Sequence, residues 1–348
     1  MKRIFQACAF FFWNTRKNGT VPATPPKRLT SSALPWRRAA APLALIASAI
    51  TANASVDNGL LSLAPATAQL FVGVDVQKTK SSDFGQFLLS KSQTDDLHFQ
   101  QFMDKTGFDP RRDLQSMLLV GTGNPDAAKG QSAFAVLARG VFDQSKITTI
   151  SKDGVSQTFN GVSMTVYPNK GQSLALAFPE TGVAVMADLA TMKQIIQNLA
   201  TPTSFDPALL ARINAVGAAN DAWFVSTTGP SGWPHNPSQS ATGRDPAQAL
   251  QSIRSASGGM HSGATVDLSF DATARSPQDA TSLADVFRFM ASTVQMQRQS
   301  QNNPGIGVLA ASMDNMTLTT AGNTVHIAFS VPEKSLEQLA AAARPKQK

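Results

Sequence analysis

Residues Ala264–Ala274 alternate without a break. Ala264, Val266, Leu268, Phe270, Ala272 and Ala274 share one parity, and Thr265, Asp267, Ser269, Asp271 and Thr273 share the other. A helix returns to the same face only every ~3.6 residues, so a strict period of two belongs to an extended strand with one apolar and one polar face. Such a strand sits in an antiparallel sheet that is packed on one side and wet on the other. The same alternation runs through Met316, Leu318 and Thr320. It resumes after a turn at Ala321-Gly322-Asn323, through Val325, Ile327, Phe329 and Val331. Gly and Asn accept the positive φ of a tight turn, so these two runs predict a hairpin.

An earlier meander is predicted over Val162–Tyr167, Ser173–Phe178 and Val183–Ala187, with turns at Asn169-Lys170-Gly171 and Glu180-Thr181-Gly182. Met117–Val120 and Ala133–Ala138 are apolar on both parities, the mark of interior strands. Two stripes have helical spacing: Leu189, Met192, Ile195, Ile196 and Leu199, then Leu283, Val286, Phe287, Met290 and Val294. Three Asp-Pro pairs (Asp109-Pro110, Asp206-Pro207, Asp245-Pro246) suit helix starts. Asp accepts from the free amide groups, and Pro lacks a donor where none is needed.

In order, these elements predict an α+β fold of two related halves, each a mainly antiparallel sheet with helices packed on one face. The first half, residues 55–200, opens with a strand at Gln69–Val76 and a helix around Phe84–Leu89, and ends with a helix at Leu189–Leu199. The second, residues 220–348, opens with a strand at Ala222–Thr228 and a helix at Asp245–Arg254, and ends with a helix at Glu333–Ala343. Residues 201–219, with a helix at Pro207–Val216, join them. The order within each half matches a split βαβ unit with appended strands, and an internal duplication is read from that order alone.

The charge is as uneven as the hydrophobicity. Residues 1–54 carry eight cations and no carboxylate, which leaves 22 Lys and Arg against all 23 Asp and Glu in the rest. The leader has the anatomy of an export signal: Trp36-Arg37-Arg38, an apolar run Ala39–Ala52, then Ala52-Asn53-Ala54 before Ser55. Small residues at these places predict cleavage after Ala54. A spanning helix needs about 20 apolar residues, and this run is shorter and interrupted by Pro42. The expected location is extracytoplasmic, periplasmic or secreted, with membrane association only if the leader is retained. Cys8 is the single cysteine, so the mature chain has no disulfide, thiolate metal site or Cys nucleophile. Its near-zero net charge argues against nucleic acid, which demands a cationic face.

Candidate chemistry is sparse. Gly121-Thr122-Gly123 follows a strand but does not open a helix, so a hairpin loop is expected rather than a phosphate-binding turn. Gly259-Met260-His261-Ser262-Gly263 puts its serine one place late for a hydrolase elbow, and Gly258-Gly259 reads as a turn. His98, His235, His261 and His326 show no metal-binding spacing. Asp95-Asp96-Leu97-His98 reads as a solvated helix start, and His326 falls on the polar face of its strand. The remaining candidate is the Gly/Pro/Ser-rich loop 229–244, in which Trp233 and His235 are candidate binding residues. An indole in such a loop marks either recognition or a ring folded back on the sheet.

Two blocks resemble a broad group of uncharacterised exported bacterial proteins. They are Thr106-Gly107-Phe108-Asp109-Pro110-Arg111-Arg112-Asp113-Leu114 (TGxDPxxDL) and Ala138-Arg139-Gly140-Val141-Phe142-Asp143 (ARGxFD). The likeness covers residues 60–200 and implies a shared fold, because these blocks are turns and caps. It supplies no catalytic residues. The expected role is therefore a non-enzymatic exported envelope protein acting by binding or scaffolding, with no cofactor and no metal. The alternative is a carrier of an apolar ligand or lipid in a groove between sheet and helices. The expected partner is correspondingly an envelope protein or an apolar ligand.

Overall fold

The computed structural model describes residues 56–87, 97–122, 133–149, 154–168, 173–229, 250–300 and 304–336. All belong to the compact unit Ala54–Lys348; the unit Met1–Asn53 lies outside the described residues.

The fold is mixed helix and antiparallel sheet. Its strands are β1 (Ala68–Asp75), β2 (Leu114–Thr122), β3 (Ala133–Gly140), β4 (Val155–Phe159), β5 (Val162–Tyr167), β6 (Leu174–Glu180), β7 (Val183–Asp188), β8 (Ala222–Ser226), β9 (Ile253–Ser262), β10 (Thr265–Ala274), β11 (Thr317–Ala321) and β12 (Thr324–Pro332). The helices are α1 (Asn58–Leu63), α2 (Val76–Ser81), α3 (Leu97–Thr106), α4 (Pro110–Asp113), α5 (Gln144–Thr149), α6 (Leu189–Asn198), α7 (Pro207–Ala219), α8 (Pro277–Ser300) and α9 (Pro304–Asp314).

The strands form one twelve-stranded sheet in the order β11-β12-β10-β9-β8-β1-β2-β3-β7-β6-β5-β4. Two separate sheets were expected. Instead β1 and β8, the opening strands of the predicted halves, pair antiparallel through Leu70–Ser226, Phe71–Val225 and Val72–Phe224. The physical reason lies in their sequences. Both are apolar enough to need neighbours on both sides, and an unpaired apolar edge invites aggregation. The actual edges, β11 and β4, are short, exposed and rich in Thr, Ser and Gln.

Following the register at one level shows how the core is built. Val225, Phe71, Val120, Ala135, Ala187 and Ala175 stand opposite one another on six successive strands, and each is 0% exposed. They are sealed by Leu60 and Leu61 of α1, Met192, Ile195 and Ile196 of α6 and Ile213 of α7. One strand beyond Val225 the row turns polar, to Ser257, Asp271 and His326. There α8 packs from the opposite side of the sheet. Its Ala280, Leu283, Ala284 and Phe287 cover Phe270, Ile327 and Phe329. Each end of the sheet thus has helices on a different face.

The caps follow the predicted chemistry. Asp206 accepts from the amides of Ala208 and Leu209, with Pro207 opening α7. Asp109 caps α4 ahead of Pro110. The third pair, Asp245-Pro246, lies outside the described residues. The helix expected up to Arg254 does not extend that far, because Ile253–Ser262 is strand β9. Gly258-Gly259, expected as a turn, sits in the middle of that strand. A Cβ on Gly258 would come within 2.4 Å of the Ser269 carbonyl oxygen, and one on Gly259 within 2.2 Å of the Asn220 side chain. These glycines admit close neighbours rather than a reversal.

Candidate functional site

Behind the sealed row, the other face of the same strands is apolar and only partly covered. Val72, Leu119, Val136, Met186 and Leu176 stand opposite one another across β1, β2, β3, β7 and β6. Val72, Leu119 and Met186 are half-buried, while Val136 and Leu176 are buried. The flanking levels repeat the pattern with half-buried Leu70 and Phe134 on one side, and Val74 and Met117 on the other. The alternation of strand side chains explains the contrast: Phe71 and Val120 point into the sealed core, so Val72 and Leu119 point away from it. On this side α8 covers β9 to β12 and β8's Phe224, Phe84 and Phe87 pack on Ala222, Met260 and Leu268, and the half-buried row beside them forms an apolar shelf.

A polar cleft of about 460 Å³ opens elsewhere, lined by Ser81, Ser82, Asp83, Ser262, Gly263 and Glu333. Beside it the buried Asp221 carboxylate accepts from the Ser262 amide (2.7 Å), and its other oxygen lies 3.2 Å from His261 Nδ1. The Asp221 carboxylate is thus used to hold the end of β9. Ser262 and His261 are adjacent on a strand and point to opposite faces, so no nucleophile–base hydrogen bond forms between them. The sequence pattern around Ser262 is a strand end rather than a hydrolase elbow. His326 is placed on the polar face as expected, where its Nδ1 lies 2.7 Å from Asp271 Oδ1.

A third cluster ties α7 to β9. Arg212 of α7 is half-buried and donates from Nε and Nη2 to the Ser257 hydroxyl and from Nη1 to the Ser255 hydroxyl. Burial pushes its guanidinium below the usual arginine value, while nearby Asp271 acts in the opposite sense. Among the described residues, no group of three or more His, Cys, Asp or Glu side chains is placed to hold a metal ion. Also among them, no helix is long and apolar enough to cross a membrane. Trp233 and His235, the binding residues expected from the sequence, lie outside the described residues, as do Asp95 and Asp96. The shelf itself went unrecognised in the sequence. Its signal is that Met117–Val120 and Ala133–Ala138 are apolar on both parities, which reads equally well as full burial.

No family model matches the sequence, and no curated protein sequence matches it. Among solved structures, the chain is similar to TP0453 in crystal forms III, IV and I. The TM-scores are 0.48, 0.46 and 0.43, and the identities 10%, 8% and 10%. The matches cover 83%, 81% and 83% of this chain and 99%, 96% and 98% of TP0453. A likeness this distant says nothing of activity, ligand or partner.

Proposed function

We propose that the protein is a non-enzymatic binding protein of the cell envelope and that the apolar shelf beside α8 is its binding surface. The occupant that fits is an apolar chain, such as the acyl part of a lipid. The observation that carries this reading is the row Val72–Leu119–Val136–Met186–Leu176. It runs straight across five strands, and three of its members retain solvent contact although the reverse face is fully sealed. A shelf lined by Val, Leu and Met gains about 25 cal/mol for each Å² of apolar surface withdrawn from water. Met also adapts to chains of irregular shape. The polar cleft is the wrong chemistry for such a ligand, and the small cavity near Trp223, about 40 Å³, holds no more than a few waters.

Export belongs to the same proposal. The leader supports cleavage after Ala54 and release of a chain starting at Ser55. The kinship with exported proteins carrying the TGxDPxxDL and ARGxFD blocks is likewise proposed. So is an ancient duplication, supported by the way the two halves run outward from the central β1–β8 pair. The loop with Trp233 and His235 is a proposed second element of recognition, suited to an envelope protein partner.

Protein purified from its own host and sprayed under native conditions should carry lipid mass that is lost on delipidation. A fluorescent fatty acid should then bind saturably. Leu119→Lys should weaken that binding at least about tenfold, since it sets a charge in the middle of the shelf. Asp271→Asn, on the polar face, should leave it unchanged. Absence of both copurifying lipid and saturable probe binding would overturn the reading.

A further inference from the structure

The outward stripe of α8 has a different use from the shelf. Five large apolar side chains are exposed among the described residues, and Phe289, Met290 and Met296 of this one helix are three of them. Phe289 and Met296, 67% and 62% exposed, lie two turns apart on one line. That line is opposite the side on which Ala280, Ala284 and Phe287 enter the core.

What surrounds the stripe is prepared for burial. Between its two ends stand Ser292 and Thr293, whose hydroxyls both donate to the Phe289 carbonyl, at 2.8 and 2.9 Å. Both hydroxyl protons are therefore used within the helix. Asp285 and Arg288 pair with each other at 2.8 Å, while Gln295 and Arg298 bond to Asp314 of α9. Covering the centre of the stripe would strand neither hydroxyl proton, and the charged pairs flank it at the solvated rim; a stranded polar group is the usual obstacle to burying a helix surface.

The geometry points to a second copy of this chain as the occupant: α8 pairs with α8 of another molecule, antiparallel, about a twofold axis between Ser292 and Thr293. An isologous contact requires a self-complementary surface, on which one residue meets a second and the second meets the first, and this one meets that condition. Reversal about that point exchanges Phe289 with Met296, so each ring meets the partner's thioether, a favourable pairing. The small residues fall at the crossing and let the axes approach. Outside the leader the chain is nearly neutral, with 22 cations against 23 carboxylates, so two copies do not repel at long range. One helix pair buries less than the roughly 1,200–2,000 Å² of a standard stable interface. The dimer is accordingly dynamic, with dissociation on the order of micromolar.

Sedimentation velocity of the full mature chain from about 1 to about 100 µM tests this, a range that brackets such a constant. The wild type should pass from monomer to dimer. Phe289→Asp and Met296→Asp should each remain monomeric while unfolding at the wild-type temperature. An equimolar mixture of Phe289→Lys and Met296→Glu should dimerise where each alone does not, because the new charges face each other only in the antiparallel register. A wild type monomeric throughout would overturn the proposal. So would a dimer indifferent to both Asp variants, or a mixture that stays monomeric. Stripe-dependent flotation with phosphatidylcholine vesicles in place of dimerisation would assign the surface to a membrane instead and equally overturn it.

Discussion

Asp57 and Arg139 are 82 residues apart and share two hydrogen bonds, Nε to Oδ2 at 2.5 Å and Nη2 to Oδ1 at 3.1 Å. The same carboxylate accepts from the Leu60 amide, capping α1, and from the Ser116 hydroxyl of β2. One side chain thereby fixes the first helix of the described fold to two central strands.

Burial alone would raise the Asp57 carboxyl. The Arg139, Leu60 and Ser116 hydrogen bonds outweigh it and hold the group below its ordinary value of 3.8. A depressed carboxyl stabilises the fold fully above the unfolded value, and the contribution fades as pH falls through the lower folded one. Asp57→Asn should therefore cost stability at neutral pH, about 2 kcal/mol for lost charge-assisted bonds. Its deficit relative to wild type should shrink below about pH 4. Urea denaturation at pH 7 and pH 3 checks both. A deficit equal at the two values would mean that the carboxylate charge plays no part.

Gly73 lies under the indole of Trp223, where an added Cβ would fall 2.2 Å from a ring atom. Gly73→Ala should cost about 1–3 kcal/mol by overpacking and shift the tryptophan emission to the red as the ring is displaced. Gly121→Ala, on the half-buried shelf, is the matched control. Its nearest contact would be 3.3 Å, to the Leu70 Cβ. Thermal unfolding of the two variants should differ clearly; equal losses would show that the Trp223 contact can relax.

Phe270 and Asp271 are neighbours on opposite faces of β10. Phe270 packs against Phe224 and Phe287, with ring centroids 6.0 and 6.2 Å away. Asp271 meets half-exposed His326. Phe270→Asp should abolish folding of the region under α8, since it buries an unpaired charge. Asp271→Asn should cost less than about 1 kcal/mol, the usual worth of an exposed pair. Circular dichroism and hydrogen exchange would separate the two, and similar tolerance at both sites would contradict the register.

The legibility of this fold follows from where each strand faces water. β10 and β12 were readable because one side is solvated, so Thr265, Asp267 and His326 mark the outward parity. β9 was not, because Ser255, Ser257, Gly258 and Gly259 look like a loop until the Arg212 side chain and the Phe224 ring are seen to fill the space above them. The caps Asp109 and Asp206 were legible because capping is local. The β1–β8 pairing was not, since nothing near Phe71 or Val225 encodes which distant strand each will meet. The shelf escaped for a related reason. Val72 and Leu119 have the composition of a core, and only the tertiary arrangement decides that they are half-buried.

The loop with Trp233 and His235 gives the last prediction. If it is a recognition element, Trp233→Ala should leave the melting temperature nearly unaltered, since exposed substitutions move stability by less than about 0.5 kcal/mol. The same variant should lose capture of an envelope partner in a pull-down that the wild type supports. An indole folded back into the core would instead cost about 3–5 kcal/mol on truncation. Differential scanning calorimetry and the pull-down must therefore be read together. A large loss of stability would make Trp233 a packing residue and remove it from recognition. Unchanged stability with unchanged capture would make the loop an inert connection and leave the shelf of Val72, Leu119 and Met186 as the one proposed ligand-binding surface still to be tested.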